Sequence, residues 1–162
     1  MKTSNLFIFL INFMIGLNSC QNKSVSKDFK NTTTSSIKVD NLILSEEELG
    51  FGCITNYYRK GDKAQQEIYV QTSSKDDKYW VNYISINGEK EVFNSQNDAM
   101  LTTDENGYTL RLENERYIID ISAKMGKTYS ESDTTLASGT LKITRKSDQI
   151  TTTIIFDGGT AC

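Results

Sequence analysis

An all-β fold, an antiparallel meander forming a small barrel or sandwich of eight or nine strands, is predicted by three features of this sequence. Tyr, Ile, Val, Thr and Phe recur in short runs from residue 51 onward. Turn-forming pairs such as Gly61-Asp62, Asn87-Gly88 and Ser147-Asp148 separate those runs. Within several runs apolar and polar residues alternate with the period of two that turns one face of a strand inward.

Taken in chain order, residues 21–40 are rich in Ser, Thr, Asn and Lys, with isolated apolar residues and no periodicity. Such a stretch buries too little to offset its ordering entropy. It reads as a tether, with a root-mean-square reach of about 25 Å as a flexible coil. Residues 42–50 predict one short N-terminal helix of one or two turns, because Ser45 and Glu48 have capping-box spacing and Gly50 can end it. Strands are expected at 51–58, 67–72, 78–86, 89–93, 100–103, 108–113, 116–123, 139–145 and 150–156. Asn87-Gly88 sits between two of them as a type I′ hairpin, a turn that needs positive φ at both central residues. Asp104-Glu105-Asn106-Gly107 plays the same part before Tyr108, and Ser147-Asp148 a weaker one between the last two strands.

Alternation assigns Tyr108, Leu110 and Leu112 to an inner face, opposite Thr109, Arg111 and Glu113, and likewise Leu141 and Ile143 against Lys142 and Thr144. Tyr79, Val81 and Tyr83 alternate with Trp80, Asn82 and Ile84, which places that strand centrally. The chain has no proline, so edge protection falls to charge, as at Lys142, Arg145 and Lys146. Gly158-Gly159 reads as a turn.

The chain begins MKTSNLFIFLINFMIGLNSC. Lys2 supplies a positive start, and the apolar stretch from Leu6 to Leu17 is shorter than the roughly 20 residues a membrane-spanning helix needs. It has the length of a signal-peptide core. Leu17-Asn18-Ser19-Cys20 resembles the lipobox of bacterial lipoproteins, in which the residue before Cys fits the signal peptidase and the Cys sulfur receives a diacylglyceryl group. The resemblance implies a signal peptide over 1–19, a lipidated Cys20 leading the tether over 20–40, and one β-rich domain over 41–162. It also implies an exported protein held at the envelope by an outer-membrane anchor. The alternative is an ordinary secretory signal that happens to end near a Cys.

Three cysteines are an odd number for an exported chain. With Cys20 acylated, Cys53 and Cys162 remain in a compartment that permits disulfides. Their bond would close a loop of about 110 residues, worth up to roughly 4–5 kcal/mol in chain entropy before strain is subtracted. The alternative is two separate thiols with Cys162 frayed.

The absence of histidine excludes Ser-His-Asp and Cys-His catalysis, His-ligated zinc and the HExxH motif. No glycine-rich phosphate loop precedes a helix. The carboxylates Asp76 with Asp77, Glu46 to Glu48, and Asp104 with Glu105 stand in polar turn contexts, where solvated surface is the plain reading and a carboxylate-dependent hydrolase the sharper one. Asp104 to Gly107 lacks the alternating ligands and distal Glu of a calcium loop. The chain carries 18 basic and 21 acidic residues, without the basic excess of a nucleic-acid footprint. The expectation is therefore a non-enzymatic domain with no catalytic residues, no metal and no cofactor, binding an envelope protein, a glycan or a small ligand.

Tyr57, Tyr58, Tyr69, Tyr79, Trp80 and Tyr83 cluster in the first three predicted strands. Exposed Tyr and Trp combine large area with a polar tip and can stack sugars or dock a protein; the plain reading is core packing and cross-strand pairing. Tyr57, Tyr58, Trp80 and Asn82 are the residues selected as a binding surface.

Two resemblances accompany these readings. Phe51-Gly52-Cys53, Ile84-Ser85-Ile86-Asn87-Gly88, Gly139-Thr140-Leu141-Lys142-Ile143 and the terminal Gly158-Gly159-Thr160-Ala161-Cys162 resemble small lipoproteins of flavobacteria and relatives. That group shares such a hairpin and a C-terminal cysteine and is largely without assigned function. The chain is also similar to the membrane-bound inhibitors of c-type lysozyme, lipid-anchored β-barrels with a disulfide from an early strand to the C-terminal region. Their inhibitory Ser-Gly-x-x-Tyr pattern meets Ser138-Gly139-Thr140-Leu141-Lys142 here, with Lys142 at the Tyr position. The lipobox generates a direct test. Cells expressing the native chain should label it with a clickable palmitate analogue, and Cys20→Ala should abolish labelling; equal labelling of both would overturn the anchor.

Overall fold

The computed structural model describes residues 36–50, 52–96, 100–104 and 106–162, the stretch 100–104 through its backbone alone. Residues 1–19, Cys20 and most of the expected tether lie outside the described residues. The domain is all-β, with ten strands: β1 (Val39–Asp40), β2 (Ile54–Arg59), β3 (Glu67–Ser73), β4 (Trp80–Ile86), β5 (Glu89–Ser95), β6 (Met100–Asp104), β7 (Gly107–Glu113), β8 (Tyr117–Tyr129), β9 (Thr134–Arg145) and β10 (Thr151–Ala161). They form one antiparallel sheet in the order β1-β4-β3-β2-β10-β9-β8-β7-β6, with β5 on the other edge of β4. The C-terminal strand thus inserts between β2 and β9 and joins an early half of the sheet to a late half.

Asn87 and Gly88 have φ of 54° and 81°, and the ladder places Ile86 opposite Glu89. This is the predicted two-residue hairpin. It also holds β1: the Lys38 amide donates to Asn87 Oδ1 at 2.9 Å, the Asn87 amide donates to the Lys38 carbonyl at 2.8 Å, and the Gly88 amide donates to Asp40 Oδ2 at 2.8 Å. Val39 lies opposite Ile86, and both it and Ile37 are buried in the core. The domain therefore starts before the expected boundary at residue 41. Residues 42–50 contain a single turn, with Glu48 and Leu49 amides donating to the Ser45 carbonyl, and no helix is present among the described residues. The capping contact does form, the Ser45 amide donating to Glu48 Oε2 at 2.9 Å. It caps a turn because the segment is committed to covering β3: Leu42 is buried, its amide bonds to the Glu67 carbonyl, and Gly50 presses on Thr72.

The main core lies on one face of the sheet. Ile84, Ile86, Tyr69, Phe93, Tyr57, Phe156, Leu141, Ile143, Ile119, Ile121, Leu110 and Leu112 all belong to one buried cluster. The inner positions predicted from alternation on β7 and β9 are among them. Tyr57 stacks on Phe156 with centroids 3.9 Å apart and on Tyr69 at 5.1 Å, and its hydroxyl bonds to that of Tyr108 across the interior. Gly158, opposite Tyr57, and Gly139, opposite Phe156, provide the room for these rings. A Cβ on Gly158 would meet the Asn56 carbonyl oxygen at 2.1 Å and Tyr57 Cδ1 at 2.8 Å; on Gly139 it would meet the Ser122 carbonyl oxygen at 2.0 Å. Gly158 and Gly159 are thus strand residues, not the turn read from sequence.

The sheet curls over this face but is not closed into a barrel. Side chains bridge its seam: Arg116, in the β7–β8 turn, pairs with Glu89 at 2.5 Å and with the buried Glu91 of β5. Asn114 Nδ2 also donates to Glu91 Oε2 at 2.9 Å. Edge protection therefore rests on the acidic residues of β5 and their partner Arg116, whereas Lys142 and Arg145 belong to β9, an interior strand. At the far end of the β2–β10 ladder, Cys53 and Cys162 are joined by a disulfide that spans 109 residues.

The Gly139 contact is with backbone, which cannot swing aside as a side chain would. Gly139→Ala should destabilise the domain by about 1–3 kcal/mol or more, seen as a lower urea midpoint. A midpoint equal to wild type would show that β8 and β9 do not approach as closely as described.

Candidate functional site

The curled sheet is filled by rings and aliphatic side chains along most of its concave face, and this filling stops at one end. There the inward positions of β2, β3, β4, β5 and β10 are Thr55, Gln71, Trp80, Ser95 and Thr160, with Leu110 facing them from β7. Together with Cys53 and Gln96 they line a cavity of about 300 Å³. Register brings them together: Thr55 is opposite Thr160, Gln71 opposite Asn82, and Trp80 opposite Ser95. The two threonine hydroxyls hydrogen-bond at 2.7 Å, one residue inboard of the last described pair of that ladder, Ile54 with Ala161.

Asn82 forms the floor behind this mouth and is 0% exposed. Its Oδ1 accepts from the Tyr69 hydroxyl at 2.6 Å and from Gln71 Nε2 at 3.0 Å. Its Nδ2 donates to the Phe93 carbonyl at 3.1 Å and to Ser95 Oγ at 3.0 Å. One side-chain amide thus uses both lone pairs and both protons, as a buried polar group must to offset its desolvation. The network fixes the rotamers of Gln71 and Ser95 in the cavity wall. Burial raises the Tyr69 phenol above its ordinary range, consistent with a neutral hydroxyl that donates.

The residues selected from sequence fall in three places. Trp80 is half-buried and lines the mouth. Asn82 and Tyr57 are buried, which corrects their assignment to a binding surface: Asn82 serves the inner face as a hydrogen-bonding hub, and Tyr57 is the centre of the aromatic stack. Tyr58 points to the opposite face of the sheet, into a shallow depression with Leu136, Ser138 and Asp157. Thr55, Gln71, Ser95, Gln96 and Thr160 escaped selection. Counting back from the Asn87-Gly88 turn would have placed Ser95 opposite Trp80, but Thr55 and Thr160 meet only through the β2–β10 pairing, which no local signal announces.

Of the candidate carboxylates, the side chains of Asp104 and Glu105 lie outside the described residues, and the others lie away from the mouth. Asp76 pairs with Lys78 at 2.8 Å and accepts from Ser74 Oγ at 2.8 Å; Lys78, then Ser74, holds its carboxyl below the usual range. Glu48 is held low by Lys90 and by Ser45. Glu46, Glu47 and Asp77 border a separate loop depression with Lys75. Ser138 to Lys142 run through the interior of β9. Among the described residues, no group of three or more acidic or thiol side chains is placed to hold a metal ion. No protein-family model matches the chain, and comparison with curated proteins and with solved structures finds no match.

Burial also lifts the Tyr108 phenol, to about 12. Its folded value lies above the ordinary value near 10, so the stability it contributes is complete below about pH 10 and is lost as pH rises through about 12. Tyr69 acts in the same direction. In an alkaline titration followed at 295 nm, part of the tyrosine signal should appear only together with loss of the β-type circular dichroism. Ionisation of all eight tyrosines near pH 10 with the fold intact would contradict the burial of this network.

Proposed function

We propose that the protein is a lipid-anchored, extracytoplasmic binding module of the cell envelope, held by lipid on Cys20 and presenting the mouth around Trp80 to a ligand or partner. The lipobox-like Leu17-Asn18-Ser19-Cys20 supports the anchor, and the disulfide between Cys53 and Cys162 is in keeping with an oxidising compartment. An outer-membrane location, facing either the periplasm or the surface, fits both. Removal of residues 1–19 would leave the residues up to the start of the domain near residue 36 as the spacer between lipid and fold.

The observation that carries the binding reading is the character of the mouth. Its described lining consists of hydroxyl and carboxamide groups, one indole, one leucine and a disulfide, on strands whose register is set by paired backbone. Hydroxyls and amides supply directional hydrogen bonds, and an indole supplies area. None of these groups moves a proton near neutral pH, so the chemistry offered is recognition.

Full-length protein in detergent, immobilised and exposed to solubilised envelopes, tests the reading. The native chain should retain a reproducible component, and Trp80→Ala should reduce retention at least about tenfold, a loss of roughly 1.4 kcal/mol. Equal retention by both forms would remove the mouth as the binding site, and no retention by either would remove the binding role.

A further inference from the structure

Resting on the binding reading above, we infer that the mouth takes a neutral polyhydroxylated ring, the pyranose unit of a glycan, laid against Trp80. Charge is the first argument. Among the described residues that line the cavity, no side chain is ionisable, so a carboxylate, phosphate or ammonium entering it would lose water without gaining a counter-charge from them. A neutral ligand carries no such penalty.

The second argument is the type of hydrogen-bonding group. A sugar hydroxyl both donates and accepts, and so do the mouth's groups: Thr55, Thr160 and Ser95 through hydroxyls, Gln71 and Gln96 through carboxamides. The way these groups are already engaged sharpens the match. Ser95 Oγ accepts from Asn82, so its own proton remains to be donated. Gln71 uses an amide proton on Asn82 Oδ1, which fixes the plane of its carboxamide and with it the direction of its carbonyl oxygen. The Thr55 and Thr160 hydroxyls share one hydrogen bond, so the pair retains one proton and additional lone pairs. The wall thus offers both donors and acceptors, and a ring with hydroxyls on successive carbons carries both as well.

The third argument is shape. A volume of about 300 Å³ lies at the small end of ligand pockets, which run from about 300 to 1,000 Å³, enough for one ring and not for a length of chain threaded through. Trp80 and Leu110 supply the apolar surface for the C–H face of that ring, and the indole remains half-buried at the opening, where a second sugar unit would continue into solvent. A peptide would need an open sheet edge or a deep apolar side-chain pocket; the mouth offers a closed ladder on the β2–β10 side and a polar wall.

Trp80 is the only tryptophan in the chain, so its emission reports on the mouth alone. Full-length protein in detergent is titrated with glucose, galactose and N-acetylglucosamine, and with glucuronate and glucosamine as charged counterparts. A saturable shift in emission is expected with at least one neutral sugar, with about tenfold or weaker affinity for the charged forms. Thr160→Val, which keeps the shape and deletes the hydroxyl, should weaken that sugar several-fold at an unchanged urea midpoint; if its midpoint falls, Gln96→Ala at the exposed rim takes its place with the same expectation. Equal response to charged and neutral sugars, or an unchanged affinity in the hydroxyl-deletion variant, would overturn the assignment. If no sugar moves the emission but a peptide or protein fraction of the envelope does, the sugar class falls and the binding module stands. If nothing moves it, both fall.

Discussion

Among the described residues, a single sheet packs chiefly against itself, and that constraint governs the rest of this structure. To bury one face without a second layer, the sheet must curl until its early strands meet its late ones. The backbone must then approach closely where curvature is greatest, and Gly139 and Gly158 stand where a Cβ would strike a neighbouring carbonyl. The interior must also be filled by side chains long enough to reach across it, which is the role of Tyr57, Tyr69, Phe156 and Tyr108. Aromatic rings lying over cross-strand glycine are a known means of filling such a bend. The seam that curling leaves is closed by charge, Arg116 against Glu89 and Glu91, rather than by a hydrogen-bonded ladder. An exposed edge is thereby occupied without being paired.

How much of this could be read beforehand depended on whether the relevant physics was local. The Asn87-Gly88 turn, the inner faces of β7 and β9 and the all-β class each follow from a few adjacent residues, and the structure has them. The terminal disulfide follows from counting cysteines once Cys20 is set aside. The lengths of β8, β9 and β10 do not follow. Lys124 to Tyr129 are exposed on both faces, so no alternation marks them as strand, and they extend because β9 and β10 continue alongside. Gly158 and Gly159 carry no side chain to alternate, and a Gly-Gly pair by itself signals a turn; their strand role derives from neighbours in β2 and β9 that are distant in sequence.

Asn82 is the most instructive failure. A polar residue alternating with Val81 and Tyr83 is assigned outward by any rule that scores polarity, and the assignment takes Trp80 with it. In the fold both point inward, because the buried amide finds all four hydrogen-bond partners on β3 and β5. Those partners exist only once three strands are in register. Trp80 shares that concave face and lines the cavity at its open end.

The same network explains why the mouth can be both polar and rigid. A cavity walled by glutamine, serine and threonine would ordinarily spend binding energy on ordering those side chains, at about 0.5–1.5 kcal/mol for each immobilised long one. Here Asn82 holds Gln71 and Ser95 in place by hydrogen bonds within the fold, and the threonine pair at the rim holds itself. The disulfide then ties the β2–β10 ladder beside its terminal pair, Ile54 with Ala161. Cys53 is itself part of the cavity lining, so the covalent tie acts directly on the wall. Folding energy and the proposed recognition thus draw on one end of the sheet: the interactions that keep the last strand in place are the ones that keep the mouth in shape.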